Sequence, residues 1–150
     1  LNGAVSGDPY RFFHRLRVRW GECDMQGIVF NPRYMEYVDA AFTEYWRTIG
    51  MPYPEAFLAG GTDTFMVAAQ INYRDAARFD DELDIGIRTE YFGTTSFRIG
   101  FSIRRAGAAL VEGTAAYVNG HRTTRVPASL PVDLISKAEI FETTKPLRKA

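Results

Sequence analysis

The chain is poor in the residues that usually carry metal, redox or triad chemistry: among its 150 residues it holds one cysteine, Cys23, and two histidines, His14 and His121. A lone cysteine excludes an intrachain disulfide and fits a reducing compartment, so a cytoplasmic location is expected. Two distant histidines, one cysteine and no H-E-x-x-H give no sensible zinc set. Asp80, Asp81 and Asp84 cluster but lack the remaining spacing of a calcium loop. No G-x-S-x-G, Walker loop or G-x-G-x-x-G occurs, which argues against a serine hydrolase, a P-loop nucleotidase and a dinucleotide dehydrogenase. The 18 basic residues balance 18 acidic ones. A net charge of zero argues against a general nucleic-acid binder. No apolar run approaches the ~18 residues of a membrane span. The opening Leu-Asn-Gly-Ala-Val-Ser-Gly lacks a basic end followed by an apolar core, so residues 1–10 read as a flexible tail and not as a signal peptide. Residues 11–150 are expected to form one domain, since no linker or repeat divides them.

What the chain does have is aromatic side chains, 14% of the total, with many in or near residues 30–57. From Phe12 to Trp20, Arg15, Arg17 and Arg19 alternate with Leu16, Val18 and Trp20, the period of a strand with one buried face. Over 32–49 the rhythm changes: Tyr34, Val38, Ala41, Phe42, Tyr45 and Ile49 recur at helical spacing. Asn31 is expected as N-cap, Pro32 as the first helical residue, and Gly50 and Pro52 as the stop. Met35, Tyr37 and Trp46 widen the apolar face beyond a narrow stripe, so something must wrap around this helix. Four extended segments follow at Thr64–Tyr73, Glu82–Phe92, Thr95–Arg104 and Ala108–Asn119, the last three joined as an antiparallel meander by turns at Gly93-Thr94 and Ala106-Gly107. A short strand near Thr123–Val126 and a short helix from Pro131 to about Phe141 complete the expectation. The fold class is α+β: one long helix and a curved antiparallel sheet of about five strands around it.

The most informative stretch is residues 19–34, Arg-Trp-Gly-Glu-Cys-Asp-Met-Gln-Gly-Ile-Val-Phe-Asn-Pro-Arg-Tyr. Asp24 follows a strand-like segment, Gly27 permits a tight turn, a short apolar run comes next, and a helix opens at Asn31-Pro32. This order sets a carboxylate opposite the unpaired N–H groups of a helix N-terminus, which favour developing negative charge. A carboxylate facing oxyanion donors is the minimum apparatus for acyl transfer.

Residues 17–46 resemble the signature of the hot-dog acyl-CoA thioesterases, most closely the 4-hydroxybenzoyl-CoA thioesterase type: aspartate, two residues, glycine, a branched aliphatic pair, an aromatic, then a helix with tyrosines and small residues. Tyr73–Asp84 and Thr95-Ser96-Phe97 resemble later parts of the same family, so the likeness covers roughly residues 12–120. The resemblance implies hydrolysis of an acyl-CoA thioester to acid and CoA. Asp24 would be the nucleophile or general base, and the backbone N–H of Asn31 the group that polarises the carbonyl. It also implies a homodimer or homotetramer with active sites between subunits, and no cofactor beyond the CoA carried by the substrate. Phe30 and Tyr34 would border the acyl group, with Thr95 and Ser96 near the pantetheine arm. Arg104 and Arg105, with Arg122 and Arg125, would meet phosphates through forked guanidinium contacts. Two departures from the family stand out: Asn31 occupies a position where many relatives carry an aromatic or His, and Gln26 replaces a small residue.

Rival readings fare less well. Cys23 and His14 suggest thiolate catalysis only superficially: nine residues separate them, and Cys23 in an extended segment would point away from Asp24. His121 falls in a turn, and Glu36, Asp39 and Glu44 read as helix-surface charges. A hot-dog hydratase would need a histidine that this chain does not place suitably. A non-hydrolysing acyl-CoA-binding or sensing protein gains little from a carboxylate beside the thioester.

Overall fold

The computed structural model describes residues 7–149. Its elements are β1 (Phe12–Arg17), α1 (Arg33–Ile49), α2 (Glu55–Leu58), β2 (Thr62–Tyr73), β3 (Glu82–Phe92), β4 (Ser96–Arg105), β5 (Ala108–His121), α3 (Leu134–Phe141) and β6 (Leu147–Arg148). The sheet order is β1-β3-β4-β5-β2, with β6 joined in parallel to β3 beside Phe92. All other neighbouring strands are antiparallel. Irregular register between Met66 and Ala68, Thr89 and Tyr91, and Ile103 and Arg104 bends the strands, because an extra residue on one strand raises local twist.

Helix α1 lies in the concave face of this sheet, the hot-dog arrangement. Its buried face is Tyr34, Tyr37, Val38, Ala41, Phe42, Tyr45, Trp46 and Ile49. Phe42, Trp46, Phe97 and Tyr117 form one aromatic cluster, with Trp46 edge-on to Phe97 at 5.5 Å and Phe97 stacked on Tyr117 at 5.2 Å. Leu83, Ile85 and Ile87 of β3 and Ile99, Phe101 and Ile103 of β4 are fully enclosed. Each such large side chain contributes about 1.5–3 kcal/mol when removed from water, so the helix and meander form one cooperative core. A second buried group ties the far end of α1 to the start of the C-terminal segment. The Tyr45 hydroxyl donates to Glu142 Oε1 at 2.7 Å and pairs with the Thr89 hydroxyl at 2.8 Å, while the Thr89 N–H reaches the same Glu142 oxygen at 3.1 Å.

Several expectations need correction. Strand β1 ends at Arg17, and Trp20–Glu22 is a 3-10 turn. Pro32 itself sits at the N-cap position of α1 with helical φ and ψ, and no side-chain bond caps the helix, so Asn31 is not its N-cap. Thr123–Val126 is no strand: the His121 Nδ1 accepts the N–H groups of Thr123 and Thr124, and Arg125 takes a φ of 61° to close a tight turn. Helix α3 starts at Leu134, after Pro131. Of the tail expected over 1–10, residues 1–6 lie outside the described residues. Asp8 and Tyr10 are held against Arg104.

Candidate active site

The site is built on a small hairpin between β1 and α1. Cys23 and Val29 form an antiparallel bridge, and the Asp24 N–H donates to the Ile28 carbonyl at 2.9 Å. Gly27 takes a φ of 76°, a left-handed conformation that glycine adopts without a Cβ penalty, and its N–H closes the turn on the Asp24 carbonyl at 3.0 Å. Two bonds fix the hairpin to its surroundings: the Val29 N–H to Ala77 O, and the Phe30 N–H to Glu22 O, both 2.9 Å. The hairpin therefore lies between the first turn of α1 and the loop joining β2 to β3.

Asp24 is half-buried at the tip. Its Oδ1 accepts the Gln26 N–H at 2.8 Å, which fixes the carboxylate plane, and its Oδ2 has no hydrogen-bond partner among the described residues. The Asn31 N–H, where the chain enters α1, likewise meets no acceptor among the described residues. One carboxylate oxygen and one main-chain donor thus remain open for a substrate.

Below the tip a second carboxylate braces the hairpin. Glu22 is buried, its Oε1 accepting the Arg19 N–H at 2.8 Å and the Tyr37 hydroxyl at 2.9 Å, its Oε2 meeting the Arg19 guanidinium at 2.7 Å. Burial pushes the Glu22 carboxyl up, but the hydrogen bonds from Arg19 and Tyr37 outweigh it and hold it below the usual range. Glu22 is thus a fixed anion with every strong partner supplied, a positioning group that the sequence alone did not single out. The signal was its i,i+3 spacing from Arg19.

The other expected site residues are distributed as follows. Phe30 is 53% exposed beside the hairpin. Tyr34 is enclosed, and its hydroxyl accepts the Ala77 N–H at 3.0 Å, so within one chain it faces the core and braces the β2–β3 loop. Arg105 reaches the same loop, bonded to Asp81 at 2.8 Å and to Ala76 O at 3.1 Å. Arg104 is engaged through both terminal nitrogens by Asp8, at 2.6 and 3.1 Å, and stacks over Tyr10 and Phe13. Both guanidiniums are neutralised internally. Thr95 and Ser96 lie at the opposite end of β4 from Arg105, about 30 Å away at ~3.3 Å per strand residue, so one chain does not bring them to Asp24. Arg122 and Arg125 follow β5 at that same far end.

Cys23 is half-buried against the core, and burial, aided by the neighbouring Asp24 and Glu22 charges, pushes its thiol up, away from thiolate chemistry. No group of three metal-binding side chains occurs among the described residues.

A profile of the thioesterase-like superfamily matches residues 18–138, which span the hairpin, α1 and the whole meander. The chain belongs to the thioesterase-like superfamily. It is by class a thioester hydrolase. A protein of Aquifex aeolicus, provisionally named an esterase, is 24% identical over 106 residues, 71% of this chain and 82% of the other. The fold also matches the solved 1,4-dihydroxy-2-naphthoyl-CoA thioesterase from Synechocystis, with a TM-score of 0.77 and 17% identity over 85% of this chain and 94% of that one. A gentisyl-coenzyme A thioesterase gives a TM-score of 0.75 at 21% identity, covering 82% of this chain and 98% of that one. Membership of the thioesterase-like superfamily agrees with the resemblance carried by residues 17–46.

Proposed function

We propose that this protein hydrolyses acyl-CoA thioesters, with Asp24 as the reacting carboxylate and the Asn31 N–H as the donor to the thioester oxygen. The observation that carries this reading is the open Oδ2 of Asp24 on a hairpin locked beside an unclaimed N–H at the entry to α1. As nucleophile, Oδ2 attacks the thioester carbon, the C–S bond breaks, CoA leaves as thiolate, and water then cleaves the mixed anhydride. As general base, the same oxygen takes a proton from the attacking water, and no anhydride forms. In either route negative charge grows on the carbonyl oxygen, where one well-placed donor lowers the barrier by about 3 kcal/mol. The route asks for no metal or redox group, and the lone thiol Cys23 fits a cytoplasmic setting.

The working unit in this reading is a pair of chains. Among the described residues strand β2 pairs along one edge with β5 and with no other strand, and Met66, Val67 and Tyr73 on it are about half exposed or more. A twelve-residue bare edge is an association surface unless covered. Antiparallel pairing of two β2 strands sets the Thr62 end of one chain beside the Tyr73 end of the other. Tyr73 packs on Tyr34 at 5.8 Å, at the Asp24 end of the molecule, whereas Thr62 pairs with His121 at the Thr95-Ser96 end. The partner would thus bring its own Thr95-Ser96 end to the end of the sheet that holds this chain's Asp24.

Thiol release from short, medium, long and aromatic acyl-CoAs tests the reading. Turnover of one class above the others defines the substrate; no release from any member overturns it.

A further inference from the structure

At the end of the sheet away from Asp24, a pocket of about 360 Å³ lies between the β3–β4 turn, the segment leading into α3, and β6. Gly93 and Thr94 line one side, Ser129 and Pro131 another, and Arg148 and Lys149 a third. Backbone bonds join the three segments. Phe92 pairs with Arg148, the Lys149 N–H donates to Phe92 O at 2.9 Å, and the Leu130 N–H donates to Thr94 O at 3.1 Å. The buried Asn119 amide holds the Ser129 carbonyl at 2.8 Å. The walls are therefore preformed.

Half of the lining is apolar, its polar side chains Thr94, Ser129, Arg148 and Lys149 are all exposed, and it holds no carboxylate among the described residues. Arg148 has one ion pair, with Glu139 at a long 3.4 Å, and Lys149 has none among the described residues. The Thr94 N–H and the hydroxyls of Thr94 and Ser129 also lack partners among the described residues. This contrasts with Arg104 and Arg105, whose charges Asp8 and Asp81 already satisfy. A planar guanidinium fork, an ammonium, an N–H and two hydroxyls present more donors than a carboxylate's two oxygens use, and match the several oxygens of a phosphate chain. The volume lies at the small end of ligand sites, which span about 300–1,000 Å³, so it suits a diphosphate and not a whole dinucleotide.

We propose that this pocket binds a phosphate- or pyrophosphate-bearing small molecule, with Arg148 and Lys149 as its cationic contacts. That chemistry has two sources. One is the nucleotide end of the acyl-CoA, which rests on the function proposed above; the other is a separate phosphorylated ligand.

The test is calorimetric titration of the full chain and of an Arg148→Ala/Lys149→Ala double variant with inorganic pyrophosphate, CoA and pantetheine. Because β6 is held through its backbone, the variant should keep the circular dichroism and melting profile of the parent, and Arg148→Lys provides a second, conservative variant. The expected result is pyrophosphate binding by the parent, weakened at least tenfold in the double variant and less in Arg148→Lys. A matching loss for CoA, with pantetheine unaffected, assigns the pocket to the acyl-CoA; loss for pyrophosphate alone assigns it to a separate ligand. No pyrophosphate binding by the parent, or equal binding by parent and double variant, overturns the proposal. These are binding readouts, so they stand whether or not thioester hydrolysis is found.

Discussion

The Tyr37 hydroxyl donates to Glu22 Oε1 at 2.9 Å, and this buried bond joins the second turn of α1 to the 3-10 turn that leads into Asp24. It ties the carboxylate-bearing hairpin to the helix whose entry carries Asn31. Tyr37→Phe removes the donor while Glu22 keeps Arg19. The expected loss is about 1.5–3 kcal/mol of stability, the range for a hydrogen bond to a charged group. It should come with a larger fall in kcat/KM than destabilisation alone accounts for. Denaturant titration alongside steady-state hydrolysis checks it; unchanged kinetics would show that the hairpin is held without Tyr37.

Gly27 presents a purely conformational requirement. Among the described residues nothing lies within 4 Å of where a Cβ would stand, so it is the φ of 76° that resists a side chain. Gly27→Ala should cost about 1–2 kcal/mol and disturb the turn that presents Asp24 to substrate. Gly27→Asn, which tolerates left-handed backbone better, should lose less of both stability and activity. Equal losses for the two variants would mean that the left-handed backbone does not set the preference, and a greater loss for the larger Asn would mean that space does.

Much of this architecture was readable in the residues, because it rests on long periodic patterns. The alternation of Leu83, Ile85 and Ile87 places β3 at Glu82–Phe92, and the helical spacing of Tyr34 to Ile49 places α1 within one residue. Short elements were not readable: β6 is two residues held by Phe92, and α2 is a single turn after Pro54. Thr123–Val126 misled because β-branched residues favour strands, while the local bonds to His121 favour a turn. At the site, the hairpin around Asp24 follows from its motif, whereas the clamp of Glu22 by Tyr37 joins residues fifteen apart in sequence and needs the fold to be seen. Likewise, only the three-dimensional contacts show that Arg104 and Arg105 are engaged by Asp8 and Asp81.

Glu142 makes stability depend on pH. Burial raises its carboxyl above the ordinary value near 4.5, despite the hydrogen bonds from Tyr45 and Thr89. The folded chain therefore holds this proton over a range where the unfolded chain has lost it. Its contribution to stability falls as pH rises from the unfolded value to the raised folded one. Glu142→Gln fixes the neutral form. The melting temperature of the variant relative to the parent should climb across that window, scanned from about pH 4 to 8. A constant difference at every pH would contradict the assignment.

The bare edge of β2 predicts an assembly. The parent should sediment as a multiple of 16.9 kDa, and Val67→Lys, which places a charge on a side chain 62% exposed on that strand, should shift it toward the single-chain mass. If the site needs a partner, hydrolysis should fall with the assembled fraction. A single-chain parent with full activity would remove the partner from the account.

The most direct measurement is the turnover number of Asp24→Asn on the best thioester substrate, with CoA affinity measured on the same protein. The variant keeps an acceptor for the Gln26 N–H but lacks the anionic oxygen. The expected result is a fall in kcat of at least about a hundredfold, in line with loss of a general base or nucleophile, with CoA affinity retained. A variant that turns over at the parental rate would contradict the assignment of Asp24 as the reacting carboxylate.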